Sequence, residues 1–212
     1  SLLFLIGDYG TGGKERQLTE IIKGLSRERY EIHLFAKRNS SFYLDSIEDH
    51  LTSYYSLEKE NFSILDILIL RQYTNSIQPH IVFSFSKTLS HFSLLLRLLG
   101  GFHYRLINGT IRDAPFKLNF ILRIEKVLYH CYTEVVANSL AGLIAYNQTN
   151  KKGRYVLYNG FDERRTPENS KIELRKQLGI DDKFTVTMVA SMGASKDQPT
   201  FIKAVAKVLE IN

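Results

Sequence analysis

The 212-residue chain has a single cysteine, Cys131, so it can form neither an intrachain disulfide nor a metal site built from several thiolates. Such cysteine usage fits a reducing cytoplasm. No stretch approaches the roughly 18 consecutive apolar residues that span a bilayer, and Leu2–Ile6 is too short for the core of a secretory signal. Its histidines, at 33, 50, 80, 91, 103 and 130, lack the spacing of metal ligands, so no metal or other cofactor is expected. Basic residues do not cluster with interleaved aromatics on any one element, which argues against nucleic acid as a partner. There are no internal repeats and no low-complexity segments. The chain does not begin with methionine, as expected of a processed protein or a piece of a longer one.

What is present is ordinary for a globular protein: 44% hydrophobic and 24% charged residues. The net charge of +6 either solvates the surface or attracts phosphates. Apolar runs alternate with helical patterns. Strands are expected at 2–7, 31–36, 80–85, 103–107, 133–137 and 154–158, with a weaker one at 54–57. Helices are expected at 14–26, 62–76, 87–99, 116–131 and 140–149, the second apolar on several sides and therefore deeply buried. Repeated βα units predict a doubly wound, Rossmann-like α/β domain with a parallel sheet, whose ligands bind beyond the carboxyl ends of the strands. Near 160–170 the pattern breaks into a charged, proline-containing stretch. A new unit then follows, with a helix at 171–178, a strand at 184–190 and a helix at 197–210. The expected organisation is an N-terminal domain over 1–163, then a linker and the first elements of a second Rossmann-like domain over 164–212.

Two glycine loops stand at strand-to-helix junctions. The first, Gly7-Asp8-Tyr9-Gly10-Thr11-Gly12-Gly13, runs into a helix at Lys14, but its spacing fits neither the dinucleotide fingerprint nor the P-loop. Such a loop lets an anion approach backbone N–H groups at a helix N-terminus; as often, it is only a tight turn. The second, Ala190-Ser191-Met192-Gly193-Ala194-Ser195-Lys196-Asp197, places Lys196 at an expected helix start, where ammonium and helix dipole both favour an anion. A diphosphate held between two such domains needs positive ends from both. Ser139 is placed to cap the helix beginning at Leu140. The segment 107–115 reads as a loop on the binding edge, with Arg112 facing either solvent or an anionic acceptor. Lys117–Val127, with Arg97 and Arg105, reads as a basic face, solvated or turned toward a membrane.

Six segments in register resemble the retaining GT-B glycosyltransferases of the bacterial group 1 family. Gly12-Gly13-Lys14-Glu15-Arg16 is similar to the family's Gly-Gly-x-Glu-Arg, and Gln78-Pro79-His80-Ile81-Val82 to its Pro-Asp-Val-Val strand entry. Val135-Val136-Ala137-Asn138-Ser139 matches a strand end, and Val156–Asp162 its Pro-Asn-Gly-Val-Asp segment. Leu174–Ile180 resembles its Leu-Arg-Lys-x-Leu-Gly helix, and Val189–Thr200 its Gly-Arg-x4-Lys loop. The resemblance implies sugar transfer from a nucleotide-diphosphate donor to a saccharide or lipid-linked acceptor, in bacterial surface-polysaccharide synthesis. It implies donor-phosphate contacts from Gly12, Gly13, Ser191 and Lys196; an acceptor side or cleft formed with Lys14, Arg112 and Ser139; and a structural turn at Asn159, Gly160 and Asp162. It implies a cytoplasmic location, with peripheral contact at the inner face of the membrane. Two departures stand out. Ser191 replaces the family's usual arginine, and Phe83–Ser86 lacks the histidine often found at that strand end. The family's catalytic Glu-x7-Glu motif would lie beyond Asn212, so the 212-residue chain by itself is expected to be inactive. The alternative function is a non-catalytic Rossmann-like module that holds a nucleotide or a partner.

Overall fold

The computed structural model describes residues 1–39, 42–115, 120–163, 170–181, 183–193 and 196–211. The chain divides into two compact units, Ser1–Phe161 and Asp162–Asn212.

In the first unit, seven strands form one parallel sheet: β1 (Leu2–Tyr9), β2 (Ile32–Asn39), β3 (Ser53–Ser56), β4 (Ile81–Ser84), β5 (Arg105–Ile111), β6 (Glu134–Ala137) and β7 (Arg154–Val156). Their order is β3-β2-β1-β4-β5-β6-β7. The helices are α1 (Gly13–Gly24), α2 (Asp66–Ile77), α3 (Lys87–Leu99), α4 (Phe120–Leu128) and α5 (Leu140–Ala145). This is the expected open, doubly wound α/β fold.

The apolar run of β1 explains the two layers. Alternate side chains of a strand point to opposite faces. Leu3 and Leu5 join Leu70 of α2 and Leu89, Phe92 and Leu96 of α3 in one core. Phe4 and Ile6 join Leu18 and Ile22 of α1 in the other. A strand covered on both faces reads as continuous hydrophobicity rather than alternation, which is what Leu2–Ile6 shows.

Two elements differ from expectation. The helix expected from residue 62 begins at Asp66, whose buried carboxylate accepts from the Ser63 N–H at 2.7 Å and pairs with Lys59 at 2.5 Å. Its packed face is Leu70 and Thr74, while Ile64, Leu65 and Leu68 are exposed, so the helix is not deeply buried all round. Strand β5 runs through Asn108-Gly109-Thr110 to Ile111, and the loop starts only at Arg112. The Asn-Gly pair is not a turn here. A β-carbon on Gly109 would lie 2.6 Å from Phe83 Cε2 and 3.3 Å from the Ser84 carbonyl oxygen, so glycine is the residue that lets β5 pass the Phe83 ring.

The second unit contains α6 (Lys171–Gln177) and α7 (Gln198–Ile211). A reciprocal capping box between Ser170 and Glu173 starts α6, and Gly179, at φ 65°, follows its end. The strand expected at 184–190 does not form: these residues pair with no other strand among those described, and Phe184 and Val189 lie exposed. A strand's backbone groups need a neighbouring strand, and the described residues of this unit include none. Among the described residues, no helix is long and apolar enough to cross a membrane.

Candidate functional site

The strand order places a topological switch point between β1 and β4. From β1 the chain crosses to β2 on one side; from β4 it crosses to β5 on the other. Helices diverging from two adjacent strands leave a crevice at their carboxyl ends, where open α/β sheets bind ligands. Both helix N-termini at this crevice, that of α1 after Gly12 and that of α3 after Ser86, present partial positive charge.

Lys14 and Ser86 converge over Gly7. A methyl group placed on Gly7 would sit 4.0 Å from Lys14 Nζ and 3.9 Å from Ser86 Oγ. Ser86 also caps α3, accepting from the Leu89 N–H at 3.5 Å. Gly12 and Gly13 are exposed at the mouth of the crevice. The α1 N-terminus is not empty, however. A β-carbon on Gly12 would collide with the carboxylate of Glu15, which is 7% exposed and pairs with Lys14 at 3.2 Å. The chain's own acid thus stands where a phosphate was expected, which is the electrostatic reason for a glutamate in the first turn.

Arg112 extends from the end of β5 toward α1. Its Nε donates to the Gly109 carbonyl at 3.2 Å, its Nη1 donates to Gln17 Oε1, and its guanidinium carbon lies 4.7 Å from the centre of the Phe85 ring. Gln17 in turn donates through Nε2 to the Leu157 carbonyl at 3.4 Å. Burial pushes the guanidinium down to about 10, against the opposing pull of Glu15. Among the described residues, no carboxylate lies within ion-pair distance of Arg112. The neighbouring Asp113 is engaged elsewhere, accepting from Tyr146 Oη at 2.9 Å.

Ser139 stands in the capping place that the sequence gives it, at the start of α5. Ser139 Oγ caps α5, accepting from the Gly142 N–H at 3.1 Å. Asn159, Gly160 and Asp162 lie in a stretch without turn geometry, and Gly160 has no left-handed φ. In the second unit, Lys196 is not at the helix start. It is exposed two residues before α7, its N–H bonded to the Gly193 carbonyl at 3.0 Å. Asp197, at φ 51°, takes the capping position instead and accepts from the Thr200 N–H at 3.3 Å through its carboxylate. The exposed Ser191 accepts through its carbonyl from Gln198 at 2.6 Å. Ala194 and Ser195 of that loop, Lys117 of the basic face and the linker residues 164–169 lie outside the described residues. Arg97 and Arg105 do not extend the basic face of α4: Arg97 donates to Thr133 Oγ1 at 2.6 Å, and Arg105 pairs with Glu134.

Sequence reasoning assigned no role to Gln17, Phe85, Ser86 or Glu15. Nor did it foresee the Lys87–Glu125 pair, at 2.8 Å, beside the half-buried His91, whose basicity burial lowers. A cleft of about 550 Å³ lies at the opposite edge of the sheet, against Arg71, His80 and His103. There α2 and α3 end, and helix C-termini carry partial negative charge. Arg71 stands beside these helix ends.

No protein-family profile matches the chain, and no curated protein sequence matches it. Solved structures do. The Anabaena protein HepE in complex with UDP-glucose superposes with a TM-score of 0.76 at 21% identity, over 97% of this chain and 57% of that one. A glycosyltransferase from Rickettsia africae superposes at 0.67, with 13% identity, over 98% and 57%. The lipopolysaccharide outer core galactosyltransferase WaaB superposes at 0.56, with 14% identity, over 76% and 46%. The chain therefore spans about half the length of these proteins, from 46% to 57%, and it shares the fold of their matching parts.

Proposed function

We propose that the chain is the N-terminal portion of a retaining GT-B glycosyltransferase, which moves a sugar from a nucleoside-diphosphate donor to a saccharide or lipid-linked acceptor in bacterial surface-polysaccharide assembly. The observation that carries this reading is the crevice between β1 and β4, where Lys14, Ser86 and two helix N-termini face one space at the carboxyl edge of the sheet. The likeness to HepE, crystallised with UDP-glucose, supports a nucleotide-sugar as donor.

In this reading the N-terminal unit supplies the acceptor side through Lys14 and Arg112. Gly12 and Gly13 admit the donor phosphates when the Glu15 carboxylate turns aside. Lys196 and Ser191 meet the diphosphate from the second unit, and Lys196 stabilises the charge that grows on the leaving group. Ser139, Asn159, Gly160 and Asp162 serve structure rather than chemistry. The protein works in the cytoplasm. Its membrane contact is α4, whose Phe120, Ile124 and Val127 stand exposed at helical spacing beside Arg123 and Lys126.

A second reading, a binding module without chemistry, is favoured by one feature: the N-termini of α1 and α7 each hold a carboxylate of the chain itself. Sugar-nucleotide turnover separates the two. The full-length natural polypeptide that carries this sequence is expected to release UDP from UDP-glucose in the presence of an acceptor extract, and the isolated 212 residues are not. Turnover by neither protein with any common nucleotide-sugar favours the binding module.

A further inference from the structure

We propose that the acceptor is anionic, and that Arg112 is the residue that reads its charge. This inference rests on the glycosyltransferase reading and names the acceptor's chemistry. The guanidinium is partly buried, and among the described residues its hydrogen bonds and ring contact are to neutral groups: a carbonyl oxygen, the Gln17 amide and the Phe85 ring. A cation withdrawn from water costs free energy unless an anion pairs with it. Of the nearby acids, Glu15 pulls on the guanidinium without forming an ion pair with it. Glu15 is matched by Lys14, and Asp113 is bound by Tyr146. Asp8 is held between Lys37 at 3.1 Å and Arg38 at 3.5 Å. Among the described residues Lys14 and Glu15 pair with each other, and Arg112 forms no ion pair.

The arrangement is built rather than incidental. Gln17 is 7% exposed and uses both ends of its amide, accepting from Arg112 and donating to Leu157. The guanidinium also lies over the Phe85 ring, 4.7 Å from its centre. With Nε and Nη1 donating to Gly109 and Gln17, Nη2 is the guanidinium nitrogen with no partner among the described residues, and its N–H groups can meet a carboxylate or phosphate. The position also separates acceptor from donor. Arg112 lies over Phe85 and Gly109, at the ends of β4 and β5, whereas the glycine loop belongs to β1.

Binding of four probes to the full-length natural polypeptide tests this: glucuronate, glucose 6-phosphate, neutral glucose and UDP. The wild type is expected to prefer at least one anionic sugar over glucose by roughly 10- to 100-fold, as for a hydrogen bond to a charged group. Which probe shows the preference identifies carboxylate or phosphate as its source. Arg112→Gln should bring the preference close to one while leaving UDP affinity unchanged, and Arg112→Lys should restore part of it. If Arg112→Gln does not fold, Gln17→Ala decides: it keeps Arg112 but removes the amide that holds its Nη1, and should cut the preference several-fold. Equal binding of glucose and both anions by the wild type, or an unchanged preference in the variant that folds, overturns the proposal. So does a loss of UDP affinity in Arg112→Gln equal to its loss of anionic sugar, which assigns the residue to the donor. Failure of UDP-glucose turnover by the wild type counts against the glycosyltransferase reading. An absent anion preference with turnover intact counts against this inference alone.

Discussion

Replacing Lys196 with alanine in the full-length natural polypeptide is expected to lower kcat/KM for the nucleotide-sugar donor about 30- to 1,000-fold. This corresponds to roughly 2–4 kcal/mol, the scale of losing one preorganised donor to a developing oxyanion. The expectation rests on two features. Lys196 is exposed and free of any carboxylate partner among the described residues, so its ammonium is available to a ligand. Ser191, five positions earlier, has a hydroxyl where the resembling family has a guanidinium, so less positive charge shares the load. Ser191→Arg should leave activity intact or raise it. Steady-state kinetics at varied donor concentration read both effects. Wild-type behaviour of Lys196→Ala would return the loop to a plain connection between two elements, with Asp197 capping α7.

The second large effect concerns stability. Gly109→Ala should destabilise the first unit by about 3 kcal/mol, near the upper end for overpacking a core. The added β-carbon meets the Phe83 ring on one side and the Ser84 carbonyl oxygen on the other, at 2.6 and 3.3 Å. The ring can yield; the backbone of a central strand cannot. Phe83→Leu combined with Gly109→Ala should therefore recover part of the loss, and a denaturant double-mutant cycle should show a coupling of about 1 kcal/mol or more. Strict additivity would mean that the backbone contact, not the ring, sets the cost. The same glycine's carbonyl anchors Arg112, so this variant should also weaken the site.

Much of the fold was legible because the strands are short, apolar and regularly spaced by helical patterns. Lys87–Leu99 lies where the periodicity puts it, since Ser86 marks its start and Gly100 its end. Helix α2 was harder. Its flanks are apolar on all sides, so periodicity could not choose a face, and the folded-back Asp66 that sets its start depends on Lys59, seven residues away. Asn108-Gly109 carries a strong local turn signal that was overridden by tertiary packing against Phe83. The glycine loop and its helix were visible, but the carboxylate occupying the helix end was not read from Glu15, although that residue stood inside the recognised motif. The site's central contact was beyond local reading altogether. Arg112 and Gln17 are 95 positions apart in sequence, and only the parallel sheet brings the end of β5 over the first turns of α1.

Amide hydrogen exchange of the full-length natural polypeptide, with and without UDP-glucose, tests the account most directly. The two edges of the sheet make opposite predictions. The crevice reading predicts slowed exchange at Gly10–Gln17, Phe85–Leu89 and Thr110–Arg112, with no change at Gln78–His80 and Gly100–Tyr104. Protection confined to the latter segments, which line the cleft at the other edge, would contradict it.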